Sequence, residues 1–283
     1  MDKHFELTNK FIINAFGVKL FQIKCTRRIK YAEVGDLGGY IEKEDNLSGD
    51  AWVSDNAQVS DNAQVSDNAQ VYGNAQVFGN ARVSGDAWVY GNAHVSDNAQ
   101  VSGNAQVFGN ARVSGDAWVY GNAQVSDNAQ VSGDAWVFGN ARVFGNARVS
   151  GDAWVYGDAR VYGNAQVFGN ARVSGDAWVY GNAQVSDNAQ VSGDARVFGN
   201  ARVFGNARVS NNNEHCGFDC FGSANRHTHA YKTQSGKVEI TCGCFRGSIE
   251  EFEERVEKTH QGNEFERQYM AIVEVIKIKF GLK

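Results

Sequence analysis

The chain has 283 residues, 32 of them glycine and none proline, with a formal net charge of −5 at pH 7. That balance gives no general attraction to nucleic acid or to an anionic membrane surface, and no stretch reaches the length of a transmembrane helix. From Leu47 to Arg208 there is no Lys, Glu or Thr, and every charge is one of 14 Asp or 9 Arg. The chain therefore falls into three regions: 1–46, 47–210 and 211–283.

Residues 19–25 (KLFQIKC) alternate apolar and polar side chains, so region 1–46 is expected to form strands that close the first coil of the second region. The N-terminal run MDKHFELTNKFIINAF has charges on both sides of a short apolar stretch and no cleavage-like pattern, and the expected location is a reducing cytoplasm.

Region 47–210 is a repeat. Valine recurs at every sixth residue from Val53 to Val209, with Leu47 in register, and the consensus is Val-(Ser/Tyr/Phe)-(Gly/Asp)-(Asn/Asp)-Ala-(Gln/Arg/Trp). Leu47 to Arg208 makes 27 hexads without an insertion. In the tetrad from Ala117 to Tyr120, strand alternation sends Ala117 and Val119 one way and Trp118 and Tyr120 the other. The invariant pair is the inside; the variable pair is the outside. The remaining two positions, such as Gly121-Asn122, tolerate the left-handed backbone of a tight corner. A strand this short hides its apolar face only by stacking on the next coil, ~4.8 Å away. Three hexads per coil give about nine coils of a parallel β-helix, with a bore too narrow for an internal ligand.

This pattern resembles the hexapeptide-repeat, left-handed parallel β-helix superfamily, typified by acyltransferases, in pairs such as Val77/Ala81 and Val83/Ala87. The resemblance spans the whole repeat region and implies the handedness. It also implies a habit of trimerising along the prism faces, and for enzymes of the family a histidine general base beside loops extruded from the coils. Residues 35–48 are similar to the entry segment of an uncharacterised bacterial and phage sub-group.

Region 211–283 reads as a small α+β unit: a hairpin of residues 228–233 and 237–242, a helix opened by the Ser248/Glu251 capping box, and a second helix to about Phe280. Tyr269, Ile272, Val273 and Ile276 fall on one face of that helix.

Three constellations carry candidate chemistry. His94 is the one histidine of the repeat; it is either an acyl-transfer base between subunits or a solvated residue standing where Gln or Arg is usual, and no loop is extruded beside it. Cys216, Cys220, Cys242 and Cys244, with His215, His227 and His229, are dense enough for structural zinc. Their spacing is not that of paired knuckles, and free thiols are the competing reading. On an extended strand Cys242 and Cys244 would share a face. Outward aromatics at equivalent positions of successive coils stack in columns, so Trp118, Trp136 and Trp154 lie beside Tyr120, Phe138 and Tyr156, with Arg172 next in the tryptophan column. A contiguous exposed aromatic block marks an interface; the competing reading is that stacking merely stabilises the strands. Segments 77–106, 107–136 and 167–196 are near-copies, each five hexads long. Because a coil takes three hexads, the adjacent copies 77–106 and 107–136 land on different faces, which a scaffold tolerates.

The expectation is a mainly β, left-handed parallel β-helix with an N-terminal β cap and a C-terminal α+β unit, acting as a non-catalytic scaffold or binding protein without a cofactor. Its aromatic faces would serve a homo-oligomer, with a trimer favoured, or a protein partner. The competing functions are an acyltransferase and a polymer-forming rod.

Overall fold

The computed structural model describes residues 3–282. The chain divides into two compact units, Met1–Asp158 and Ala159–Lys283.

The first unit opens with the antiparallel strands β1 (Phe5–Ile13) and β2 (Lys19–Cys25), followed by β3 (Leu37–Ile41), which pairs antiparallel with β2 and parallel with the coil strand Gln58–Val59. From there the chain makes 27 two-residue strands, β4 (Trp52–Val53) to β30 (Arg208–Val209), one per hexad. Each pairs in parallel with a strand three hexads away, as in Trp88↔Gln106 and Val89↔Val107. Strands β4–β21, six on each of three faces, make six turns of the first unit, and β22–β30 make three turns of the second. The parallel β-helix expected from the hexads is present.

The inside is as expected: every hexad Ala and Val from Ala51 to Val209 is buried, nearly all at 0% exposure. The corners add a reason for the Gly-or-Asp alternation. The first corner residue is left-handed throughout, with φ +72° at Gly121 and +58° at Asp127. Where Asp takes this conformation, its carboxylate accepts the corner N–H of the next coil (Asp127 from Gly145 N–H at 3.0 Å), which offsets the strain. The second corner residue forms amide ladders, in which Asn92 Nδ2 donates to Asn110 Oδ1 at 3.0 Å and Asn110 to Asn128 at 3.0 Å.

An open coil end leaves backbone acceptors bare, and both terminal coils are covered. In the first unit His4 Nε2 donates to Ala51 O (2.8 Å), the Tyr40 and Glu42 N–H groups to Ala57 O and Val59 O, and Asn46 Nδ2 to Asp61 O and Ala63 O.

In the second unit the coils run into an antiparallel sheet, β31 (His215–Phe221), β32 (Arg226–Lys232), β33 (Val238–Cys242) and β34 (Phe245–Gly247), in that spatial order. The expected hairpin is β32–β33; β31 and β34 lack clear strand alternation in sequence, and β31 carries a bulge at Cys220, where φ is +63°. Helices α1 (Ile249–His260) and α2 (Glu264–Phe280) complete the unit, the first capped by the expected Ser248/Glu251 box, the second by Asn263. They cover one face of the sheet, burying Ile240, Phe252, Tyr269, Ile272, Val273 and Ile276. The other face meets the last coil. His229 Nδ1 bonds Arg202 O at 3.1 Å, the Tyr231 hydroxyl bonds Phe204 O at 3.4 Å, and Gln234 N–H donates to Asn206 O at 2.9 Å.

Candidate functional site

The tryptophan and tyrosine columns stand in the first unit as the three-hexad coil requires. Trp118, Trp136 and Trp154 are in register on three adjacent strands. Their rings stack nearly parallel, at 5.1 Å and 3° for the first pair and 5.2 Å and 7° for the second. Tyr120, Phe138 and Tyr156 form the neighbouring stack at 4.9 Å for both pairs. The two columns touch edge to face, Tyr120 to Trp136 at 6.2 Å and Phe138 to Trp154 at 6.3 Å. Each such contact contributes about 0.5–1.5 kcal/mol beyond area burial.

This packing decides what the block presents outward. Rings stacked along the ladder cover each other's faces, so solvent meets their edges. Trp118 is 39% exposed and Trp136 and Trp154 are half-buried. The surface is therefore a set of ridges about 5 Å apart, not an open aromatic platform. Burial raises the Tyr120 pKa above its ordinary value. Arg172 belongs to the second unit, where it pairs with Gln190; Arg82 is separated from Trp118 by Gln100.

Ladders of the same construction occur elsewhere. Tyr72, Tyr90 and Phe108 stack at 4.8 and 4.9 Å in the first unit, and Tyr162, Tyr180 and Phe198 at 5.0 and 5.4 Å in the second. There Trp178 lies between the guanidinium groups of Arg160 and Arg196, each 4.9 Å from the ring centre. Stacking is thus a general device of this solenoid. What distinguishes the Trp118–Trp154 block is two complete columns side by side.

His94 lies on the strand His94–Val95 between Gln76 and Arg112, with Phe78 edge-on at 6.4 Å. Burial, and then the Arg112 charge, lower its pKa. No carboxylate hydrogen-bonds the ring among the described residues.

The cysteines and histidines of the second unit do not converge. Cys216 and Cys242 face the helices, while His215, His227 and His229 face the last coil, because alternate residues of a strand point to opposite sides. Cys242 ends β33, buried under Tyr269 and accepting from the Thr228 hydroxyl at 3.3 Å. Gly243, at φ +60°, then turns the chain and leaves Cys244 exposed. The shared strand face expected for Cys242 and Cys244 is therefore not formed. Cys220 is exposed at the β31 bulge, and burial pushes the Cys216 thiol up to about 11. Among the described residues no three His, Cys, Asp or Glu side chains are grouped to hold a metal ion.

Sequence reasoning missed one apolar surface. Besides its buried stripe, α2 and the residues after it carry Ala271, Val275, Ile278 and Leu282, with Val275 49%, Ile278 78% and Leu282 44% exposed. Phe218 and Phe221 of β31 join Ala271 and Val275 in a groove of about 540 Å³. The four-three-four spacing of 271, 275, 278 and 282 is the signal that would have found it.

The chain matches the model of the YdcK β-solenoid repeat at residues 57–73, 75–91, 105–121, 123–139, 141–157, 153–167, 165–181 and 189–203. No curated protein matches it. Together with the stacked coils, this match makes the chain a β-solenoid repeat protein.

Proposed function

We propose that the protein is a non-catalytic β-solenoid scaffold that self-associates through the double aromatic ladder of its first unit. The observation that carries this is the geometry of the six rings: two columns with ridges about 5 Å apart, flanked by regular coils with no extruded loop. A surface with that period is matched by a second solenoid face, whose side chains repeat at the same spacing, far better than by an ordinary globular surface. The hexapeptide-repeat resemblance adds trimers packed along prism faces. The five unpaired cysteines suit a reducing cytoplasm.

The same resemblance offers acyl transfer near His94, but the surroundings of that ring supply neither an orienting carboxylate nor a loop-built cleft. The covered coil ends argue against a filament grown by stacking one open end on another.

Light scattering after size-exclusion chromatography tests the reading. A trimer near three times 30.9 kDa that falls to the monomer in Trp136→Ser, with unchanged circular dichroism, is the expected result. A wild-type monomer at every concentration, or a Trp136→Ser trimer as stable as wild type, overturns it. Acyl-coenzyme A binding that is lost in His94→Ala would establish the enzymatic reading instead.

A further inference from the structure

One amide ladder of the second unit ends over a pocket. Asn164 Nδ2 donates to Asn182 Oδ1 at 3.1 Å, and Asn182 Nδ2 to Asn200 Oδ1 at 3.2 Å. The coils end at Val209, so no further coil carries the row beyond Asn200. Among the described residues the Asn200 Nδ2 group has no acceptor, and the ladder direction points it past the last coil. A pocket of about 350 Å³ lies there, lined by Asn200, Arg202, Arg226, His227, Thr241 and Gly243.

The charges of that pocket are unbalanced toward the positive. Arg202 Nη1 donates to Gly243 O at 3.3 Å, and neither Arg202 nor Arg226 pairs with a carboxylate among the described residues. Asp219 is the nearby acid, and one of its oxygens already accepts from His227 Nδ1 at 2.7 Å. The other ring nitrogen, His227 Nε2, is buried beside Gly217 without a hydrogen-bond partner. The Thr241 hydroxyl is committed to His229 O at 3.4 Å. What remains toward the pocket is two guanidinium groups and a terminal amide, all donors, and two forked cations match the oxygens of a compact oxyanion.

We propose that this pocket binds a phosphate or phosphoryl group, held by Arg202 and Arg226, with the Asn200 amide as the third donor. The ladder supplies the pre-organisation: Asn200 Oδ1 is fixed by Asn182, so Nδ2 is presented without a flip. This site is independent of the aromatic ladder and of the oligomeric state.

The test is titration of the full-length protein with inorganic phosphate by calorimetry, beside thermal unfolding in phosphate and in chloride at equal ionic strength. Phosphate-specific binding and a raised Tm are expected. Arg226→Gln should weaken binding roughly tenfold or more, because a charge-assisted bond is lost. Arg202→Gln also removes the contact to Gly243, so Asn200→Asp is the cleaner second variant. It keeps the acceptor for Asn182, as Asp116 does for Asn98 at 2.8 Å, while setting a carboxylate against the anion. Arg255→Gln, on α1 outside the pocket, should bind as wild type does. Phosphoserine serves as the second probe: tighter binding than phosphate assigns the pocket to a phosphoryl group on a larger molecule, and weaker binding to the free anion. No stabilisation beyond that of chloride, or wild-type phosphate affinity in Arg226→Gln and Asn200→Asp, overturns the proposal.

Discussion

His229 donates its Nδ1–H to the carbonyl oxygen of Arg202 across 3.1 Å, and that one bond specifies the protonation of its neighbourhood. A carbonyl only accepts, so Nδ1 carries the proton and Nε2 is a lone pair. His215 Nδ1, 3.0 Å from that Nε2, must then be the donor. Both rings satisfy this arrangement in the neutral form. Burial, and then the Lys279 charge, hold His215 down to about 4; burial, and then the neighbouring His215, hold His229 down to about 3.

The C-terminal closure should therefore weaken in acid. Between the ordinary histidine pKa near 6.5 and these depressed values the unfolded chain binds more protons than the folded one, so stability falls as pH drops through that window. Thermal unfolding should show a Tm falling from pH 7 to pH 4.5, and a shallower fall in the His215→Gln/His229→Gln double variant. His4, also lowered by burial, acts in the same direction at the other coil end and is kept intact in both proteins. An unchanged slope in the double variant would remove the histidine pair as the cause.

The carboxylates of one corner row predict the opposite sign. Asn62, Asn80 and Asn98 pass amide bonds along the row to Asp116, but Asp116, Asp134 and Asp152 then succeed one another with no amide between them. Local desolvation and the two flanking carboxylates push the Asp134 pKa up. Its ionisation opposes folding, so this group favours stability as pH falls through its raised pKa. Asp134→Asn restores a donor to the row and removes a like charge; a higher Tm at pH 7 is expected, and a lower one would contradict the repulsion.

Inside and outside are separable on one strand. Val137 is fully buried, and Val137→Asp, which sets an unpaired charge in the bore, should cost several kcal/mol and abolish a cooperative transition. The neighbouring Trp136→Ser loses ring contacts worth about 2–4 kcal/mol together, yet keeps the solenoid. Circular dichroism with denaturant melts distinguishes the two; a folded, equally stable Val137→Asp protein would refute the core assignment.

Corner chemistry ranks substitutions at Gly121, whose φ is +72° and whose added Cβ would lie 3.1 Å from the Gly139 backbone. Gly121→Ala should cost about 1–2 kcal/mol from left-handed strain alone, before the close approach is counted. Gly121→Asp should cost less, since its carboxylate can accept the Gly139 N–H as Asp127 accepts that of Gly145. Paired urea melts that place Ala above Asp would overturn this account of the Gly-or-Asp alternation.

The coil is legible in the order of residues alone. Strand alternation and the hexad period leave one way to bury Val119 and Ala117, and a coil of three hexads then dictates that Trp118 meets Trp136. The Ser248/Glu251 cap is equally local, an exchange between groups one helical turn apart. Other features arise only from contacts between distant parts of the chain. The period says that Trp118, Trp136 and Trp154 are neighbours but not that their rings lie parallel and present edges, because ring orientation is set by contacts between coils. Nor does any local pattern place His229 against Arg202, 27 residues away, or separate Cys242 from the histidines: both depend on which face of the closing sheet meets the coil end, and that depends on the backbone acceptors the last coil leaves to be satisfied.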